Sequence, residues 1–213
     1  YAGILPAGAG KSHQSLRDIS LLSSIPNMRI YHPYNSLETI KILKYCINSE
    51  KNNCAIRLSI GPPPLDLLSL PKNYDFKPGK GFVMMNGSDG IIFSYGQTMI
   101  RQAFKTCKIL SKQNIKLKLV NIPCINNFDK RWLKNTIGKI KYLFFLDDHN
   151  INGGLSDLMI SFMTNSKILK NQVLQKFGIS EFPVCGTPDE VLKHHKLDHF
   201  SLASKIKRIL KNK

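Results

Sequence analysis

Gly90 to Tyr95 read GIIFSY, an apolar run too short for a helix. Gly96 then opens GQTMIRQAFKTCKIL, in which Met99, Ile100, Ala103, Phe104, Cys107 and Leu110 fall on one helical face. A buried strand leading straight into an amphipathic helix is half of a β–α–β unit. The pattern continues downstream. Lys116 to Ile122 (KLKLVNI) alternates Lys with Leu before turning fully apolar, a second strand. Asp129 is placed to cap a short helix over Trp132, Leu133 and Ile137, and Lys141 to Leu146 (KYLFFL) is another buried strand. After the Gly153-Gly154 turn, Leu155, Leu158, Met159 and Phe162 mark a helix, and Val173 to Ile179 suits a last strand. Thr187-Pro188-Asp189-Glu190 reads as a helix start, with Pro in the first turn and acids at the positive end of the dipole. The spacing predicts an α/β fold over residues 82–213, a three-layer α/β/α domain with a mostly parallel sheet.

Residues 1–60 form a separate block. Asp18 to Ile25 is apolar at helical spacing and stops before Pro26-Asn27, Met28 to Tyr31 suits a strand, Leu37 to Ile47 a helix, and Cys54 to Ile60 a strand. Residues 61–81, with Pro62-Pro63-Pro64, Pro71 and Pro78, read as a stiff linker. The first block is short for an independent domain.

The 213 residues are 42% hydrophobic and 21% charged, which supports a core and excludes a disordered tail. No apolar run reaches the roughly 18–20 residues of a membrane-spanning helix, and the start lacks a secretory layout, so a cytoplasmic protein without membrane association is expected. The chain opens at Tyr1 directly in an apolar stretch, as a piece of a longer protein would. Cys46, Cys54, Cys107, Cys124 and Cys185 are scattered and odd in number, so they are expected to be reduced thiols in the interior. The net charge of +17 is spread along a sequence rich in Lys, Asn and Ile. Its one dense cluster, Lys205, Lys207, Arg208, Lys211 and Lys213, interleaves with Ile206, Ile209 and Leu210 at helical spacing and predicts an amphipathic closing helix rather than a nucleic-acid surface.

Gly8-Ala9-Gly10-Lys11-Ser12 looks like the end of a phosphate-binding P-loop, but the glycine that must open such a loop is replaced by Leu5. A different resemblance covers nearly the whole chain. Gly10 to Ile19 (GKSHQSLRDI), continuing through Leu21-Leu22 to Ile25-Pro26-Asn27-Met28 and Pro33, resembles the late part of the pyrimidine-binding domain of transketolase-like thiamine-diphosphate enzymes. Phe145 to Asn150 (FLDDHN) with Gly153-Gly154-Leu155 is similar to that family's acidic-His and Gly-Gly-Leu segment. Gly186 to Leu192 (GTPDEVL) followed by Leu197-Asp198 is similar to its closing Gly-Thr-Pro element, and Pro123 to Asp129 falls where the family has a loop before a short helix.

The resemblance implies the end of a pyrimidine-binding domain, a linker and a C-terminal domain of an enzyme that transfers a two-carbon ketol unit between sugars or sugar phosphates. A deoxyxylulose-phosphate-synthase-like enzyme, a 2-oxoacid-dehydrogenase β-like subunit and a non-catalytic dimerisation module share this domain and remain alternatives. Such enzymes use thiamine diphosphate and Mg²⁺, activated by a glutamate that protonates the aminopyrimidine ring. That glutamate belongs to an earlier part of the domain. The Gly-Asp-Gly…Asn segment that holds the diphosphate has no counterpart either, since Gly87-Ser88-Asp89-Gly90 lacks the downstream Asn. The chain alone is therefore expected to be inactive, to bind neither cofactor nor metal, and to need an N-terminal diphosphate-binding domain in a homodimer or heterotetramer. By its match to the family's Ser/Thr-His position, His13 is the implied catalytic residue, hydrogen-bonding a substrate hydroxyl or carbonyl. Two positions depart from transketolase: Ala9 replaces an acid and Ile60 an arginine, and Arg57 is an unsafe substitute because strand alternation separates its face from that of Ile60. Asp147, Asp148 and His149 could suggest metal ligands, but adjacent strand residues point apart, so His149 is expected to fix the neighbouring loop by a hydrogen bond. His194, His195 and His199 read as a solvated helix end.

Overall fold

The strand β4 (Gly90–Ser94) sits at the centre of a five-stranded sheet of order β3-β5-β4-β6-β7. The computed structural model describes residues 1–5, 7–60, 70–71 and 73–211. β4 runs parallel to β5 (Leu117–Asn121) and β6 (Tyr142–Asn150), and β7 (Val173–Ile179) runs parallel to β6. β3 (Phe82–Met85) is antiparallel on β5. Strand alternation explains the layering. Ile91 and Phe93 enter one apolar core with Leu133 and Ile137 of α4 (Lys130–Ile137) and Leu155 and Met159 of α5 (Leu155–Asn165). Ile92 enters the other, with Met99 and Leu110 of α3 (Gly96–Ser111), Val191 of α6 (Pro188–His194), and Leu202 and Ile206 of α7 (His199–Lys211). Helices thus cover both faces, the expected three-layer arrangement.

Local signals hold where they were strongest. Asp129 accepts a hydrogen bond from Trp132 N at 2.8 Å to start α4, and Thr187 and Glu190 form a reciprocal capping box on α6. The basic tail forms the amphipathic closing helix α7, whose Leu202, Ala203, Ile206 and Leu210 are buried.

The amino-terminal block contains α1 (Asp18–Ser23), β1 (Met28–Tyr31), α2 (Ser36–Asn48) and β2 (Asn53–Ile56), with β1 and β2 forming a two-stranded parallel sheet. It shares both cores: Ile19 and Ile30 pack with α4 and α5, and Tyr31 and Ile42 pack with α3. Its backbone also docks directly on the loop after β5, through His32 N to Pro123 O and Ile125 N to Ile30 O, each 2.8 Å. The triple proline of the expected linker lies outside the described residues. From Leu70 onward that stretch is packed, with Leu70, Tyr74 and Phe76 buried.

The structure corrects several expectations. β2 ends at Ile56 instead of running to Ile60, and the residue that follows it, Arg57, is buried. Cys107 and Cys124 are interior thiols, but Cys54 and Cys185 are exposed and Cys46 is half-buried. His195 and His199 do not share a helix: α6 ends at His194 and α7 begins at His199. Of the three histidines His194 is exposed as expected, whereas the His195 side chain is 2% exposed and His199 is half-buried, with Nδ1 2.9 Å from Gln102 Oε1.

Candidate active site

The His13 loop is closed at its ends by Gly3 N to Ser15 O (3.1 Å) and Ser15 N to Tyr1 O (3.2 Å). Gly3 and Gly10 adopt positive φ, +77° and +74°, which a side chain would strain. Inside the loop Gly10 N donates to Ala7 O and His13 N to Gly10 O, so Lys11 to His13 turn back towards Gln14. Gln14 is buried, and its Nε2 donates to Ile4 O at 2.9 Å and Val184 O at 3.3 Å, tying the loop to the segment after β7.

A cleft of about 550 Å³ opens between this loop, Asn150 at the end of β6, and Ser180 to Pro183 after β7. It therefore lies at the carboxyl ends of parallel strands, where open α/β sheets bind ligands. Lys11 and Arg17 line it, and the Lys11 ammonium stands 5.4 Å from the centroid of the Phe182 ring. Leu16 O accepts from Asn150 N at 3.0 Å and fixes the loop against the sheet.

His13 is exposed and flanked by Ser12 and Gln14, both of which line the cleft; its own ring stacks on Tyr1 with centroids 5.9 Å apart. Ser12 Oγ donates to Ala9 O at 3.4 Å and shares a 3.0 Å hydrogen bond with His13 Nδ1. Ala9 and Ile60, the two positions that depart from the family pattern, do not line the cleft.

Beneath the loop is a buried polar cluster that local sequence signals do not reveal. Arg57 donates through Nε and Nη2 to both oxygens of Asp18, at 2.6 and 3.1 Å, and through Nη1 to Asp148 Oδ1 at 3.2 Å and His32 Nδ1 at 2.8 Å. Tyr95 Oη donates to Asp148 Oδ1 at 3.0 Å. Since His32 Nδ1 accepts from Arg57, its Nε2 donates to Ser59 Oγ at 3.1 Å. Burial, with the guanidinium alongside, pushes the His32 imidazole down to about 3. Burial would raise the Asp148 carboxyl, but Arg57 and His32 hold it below its ordinary value. The only hint of this cluster in the sequence was an arginine set in the apolar run Ala55-Ile56-Arg57-Leu58.

The adjacent carboxylates do point apart, as strand geometry requires. Asp148 turns to Arg57, whereas Asp147 accepts from Leu155 N at 2.9 Å and Ser156 N at 3.1 Å, holding the start of α5. Gly154 permits this approach, since a Cβ there would lie 2.9 Å from Asp147 Oδ1. Asp147 thus fixes the Gly-Gly turn, while His149 Nδ1 meets Asn150 O at 3.0 Å.

The buried carboxylates also test the fit to thiamine diphosphate and Mg²⁺. Glu38 accepts from Tyr34 N, Tyr74 Oη and Asn121 Nδ2 at 2.8–2.9 Å, and Asp147 and Asp148 are occupied as above. None of the three lines the cleft, whose one carboxylate among the described residues is that of Glu181. Among the described residues no helix is long and apolar enough to cross a membrane.

Comparison with known proteins agrees with this architecture. The family model for the transketolase C-terminal domain matches residues 79–201, and that for the transketolase pyrimidine-binding domain matches residues 1–61. A putative transketolase C-terminal section from Methanocaldococcus jannaschii is 27% identical over 215 residues, covering 99% of this chain and 65% of that protein. A 1-deoxy-D-xylulose-5-phosphate synthase from Halothermothrix orenii is 28% identical over 201 residues, covering 93% of this chain and 29% of that enzyme. The chain therefore spans about two thirds of the first relative and under a third of the second. Among solved structures, a split-gene transketolase described as an inactive β4 tetramer superposes with a TM-score of 0.83 at 22% identity, over 99% of this chain and 65% of that one. The chain belongs to the transketolase family, carrying its C-terminal domain behind a stretch of its pyrimidine-binding domain.

Proposed function

We propose that this chain is the C-terminal part of a thiamine-diphosphate- and Mg²⁺-dependent transferase that moves a two-carbon ketol unit between sugars or sugar phosphates in the cytoplasm. Residues 1–60 serve as the end of the pyrimidine-binding domain, 61–81 as the connection and 82–213 as the C-terminal domain. The observation that carries the reading is the placement of the His13 loop against a cleft at the carboxyl ends of β6 and β7, in a chain matched by two transketolase domains in the family's order. The catalytic residue is His13, whose imidazole hydrogen-bonds a substrate hydroxyl or carbonyl. Lys11 and Arg17 supply the positive wall that a sugar phosphate requires.

The chain alone is inactive in this reading, because its buried carboxylates are already occupied. A diphosphate-binding section, on the same gene or a separate subunit, completes the site in a homodimer or heterotetramer. Leu37, Ile40, Leu43 and Ile47 support this, leaving an exposed apolar stripe along α2. A relative described as a C-terminal section and a neighbour described as split-gene supply precedents.

A second reading, synthesis of a deoxyxylulose phosphate from a 2-oxoacid donor, is favoured by Ala9 and Ile60 at the positions where transketolase has its acid and arginine. Co-expression with the coding sequence immediately upstream tests both. Two-carbon transfer from a ketose phosphate to an aldose phosphate by the complex, and none by the chain alone, is the expected result. Turnover of a 2-oxoacid with no ketose transfer selects the second reading, and full activity of the isolated chain overturns the proposal.

A further inference from the structure

The loop after β7 and the end of α6 bring three metal-capable side chains together outside the catalytic loop. Glu181 Oε1 lies 3.3 Å from His194 Nε2 and 3.7 Å from His195 Nδ1, and one ligand atom from each residue falls within 4.8 Å of the others. Neighbouring helical residues normally point about 100° apart. Here α6 ends at His194, His195 is its cap, and both imidazoles nevertheless reach one carboxylate. Tetrahedral zinc with bonds of about 2.0–2.1 Å separates its ligand atoms by roughly 3.3–3.4 Å. The two distances to Glu181 sit at and just above that edge.

A second observation comes from His195 itself. Its side chain is 2% exposed, its Nε2 is buried without a partner, and 3.7 Å is too long for a hydrogen bond from Nδ1 to Glu181. Nδ1 is the nitrogen that faces Glu181, and a cation between it and Oε1 would use the lone pair that no hydrogen bond takes.

We infer that Glu181, His194 and His195 form a binding site for a zinc-class divalent cation. Two imidazole nitrogens and one carboxylate suit Zn²⁺, Co²⁺ or Ni²⁺ and not Mg²⁺, which demands oxygen ligands, so this site is distinct from the family's cofactor metal. Three protein ligands leave a coordination position open. Because Glu181 also lines the cleft, the cation would pin the loop of Ser180 to Pro183 to α6 and hold one wall of the cleft in place.

The test is titration of the full chain with Zn²⁺ by calorimetry, with Co²⁺ absorption as a probe of tetrahedral geometry and Mg²⁺ as the control. The expected result is one Zn²⁺ per chain and visible Co²⁺ bands, with affinity falling at least about tenfold in both Glu181→Gln and His194→Ala. Glu181 and His194 are partly exposed, at 59% and 48%, so these variants keep the fold, which circular dichroism verifies. Binding that is unchanged when both residues are replaced would overturn the site, as would the absence of stoichiometric binding.

Discussion

Arg57 donates to Asp148 across 3.2 Å, joining the end of the small parallel sheet to the central domain's longest strand. The same guanidinium grips Asp18 through two nitrogens, so one side chain holds two carboxylates from opposite sides of the block boundary. A planar fork can do this and an ammonium cannot. Arg57→Met is expected to lower stability by about 3–5 kcal/mol, because it leaves two carboxylates without their buried partner. Arg57→Lys should recover only a fraction of that in chemical denaturation. A loss below about 1 kcal/mol in Arg57→Met would mean the cluster does not hold the blocks together.

The extent to which this arrangement could be read from the sequence depends on how local each signal is. Strands β4 to β7 and their helices declare themselves through periodicity within a dozen residues, as do the caps at Asp129 and Thr187. The antiparallel edge strand β3 was missed because Phe82 to Met85 is a four-residue apolar run beside a Pro- and Gly-rich stretch, with no alternation to mark it. The partners of Arg57 lie 39, 25 and 91 residues away, at Asp18, His32 and Asp148, and no spacing rule reaches that far. His195 reads as solvated because lysines surround it in sequence, yet its side chain is 2% exposed.

Two buried groups give stability opposing responses to pH. Burial raises Glu38 from 4.5 to about 7, so the folded state keeps a proton that the unfolded chain releases, and stability falls as pH rises through roughly that window. His32 is lowered from 6.5 to about 3, so the unfolded chain takes up a proton that the folded state refuses, and stability falls as pH drops through that range. Between pH 4.5 and 6.5 the two cancel. In Glu38→Gln only the histidine response remains. Wild type should therefore lose about 1.4 kcal/mol per pH unit relative to Glu38→Gln as pH rises across the Glu38 window. Urea denaturation at a series of pH values measures this, and a difference independent of pH would contradict it.

Gly3 lies at the base of the His13 loop against Asp148, and Asp147 holds the Gly-Gly turn before α5. A methyl at Gly3 would run into the Asp148 carboxylate and would sit at φ +77°, so Gly3→Ala is expected to destabilise by about 2 kcal/mol or more. Asp147→Ala frees the Leu155 and Ser156 amides at the start of α5 and should cost about 1–2 kcal/mol. Thermal denaturation of both variants checks the pair, and an unchanged midpoint in Gly3→Ala would show that the loop relaxes away from Asp148.

His13 is exposed, with its ring against Tyr1 and Ser12 at the surface of the loop, so its replacement separates chemistry from folding. His13→Ala should leave the melting temperature within about 1 °C while lowering kcat/KM of the reconstituted enzyme by about 10²-fold or more. His13→Gln, which keeps a hydrogen-bonding group, should recover part of the loss. Equal activity of His13→Ala and wild type would remove the residue from the site.

The central claim is that the cofactor seat is completed by protein outside the described residues. Calorimetric titration of the isolated chain with thiamine diphosphate and Mg²⁺, repeated on the complex with its diphosphate-binding section, addresses it most directly. The account predicts no saturable heat from the chain alone and micromolar binding by the complex. Micromolar binding by the chain alone would contradict it.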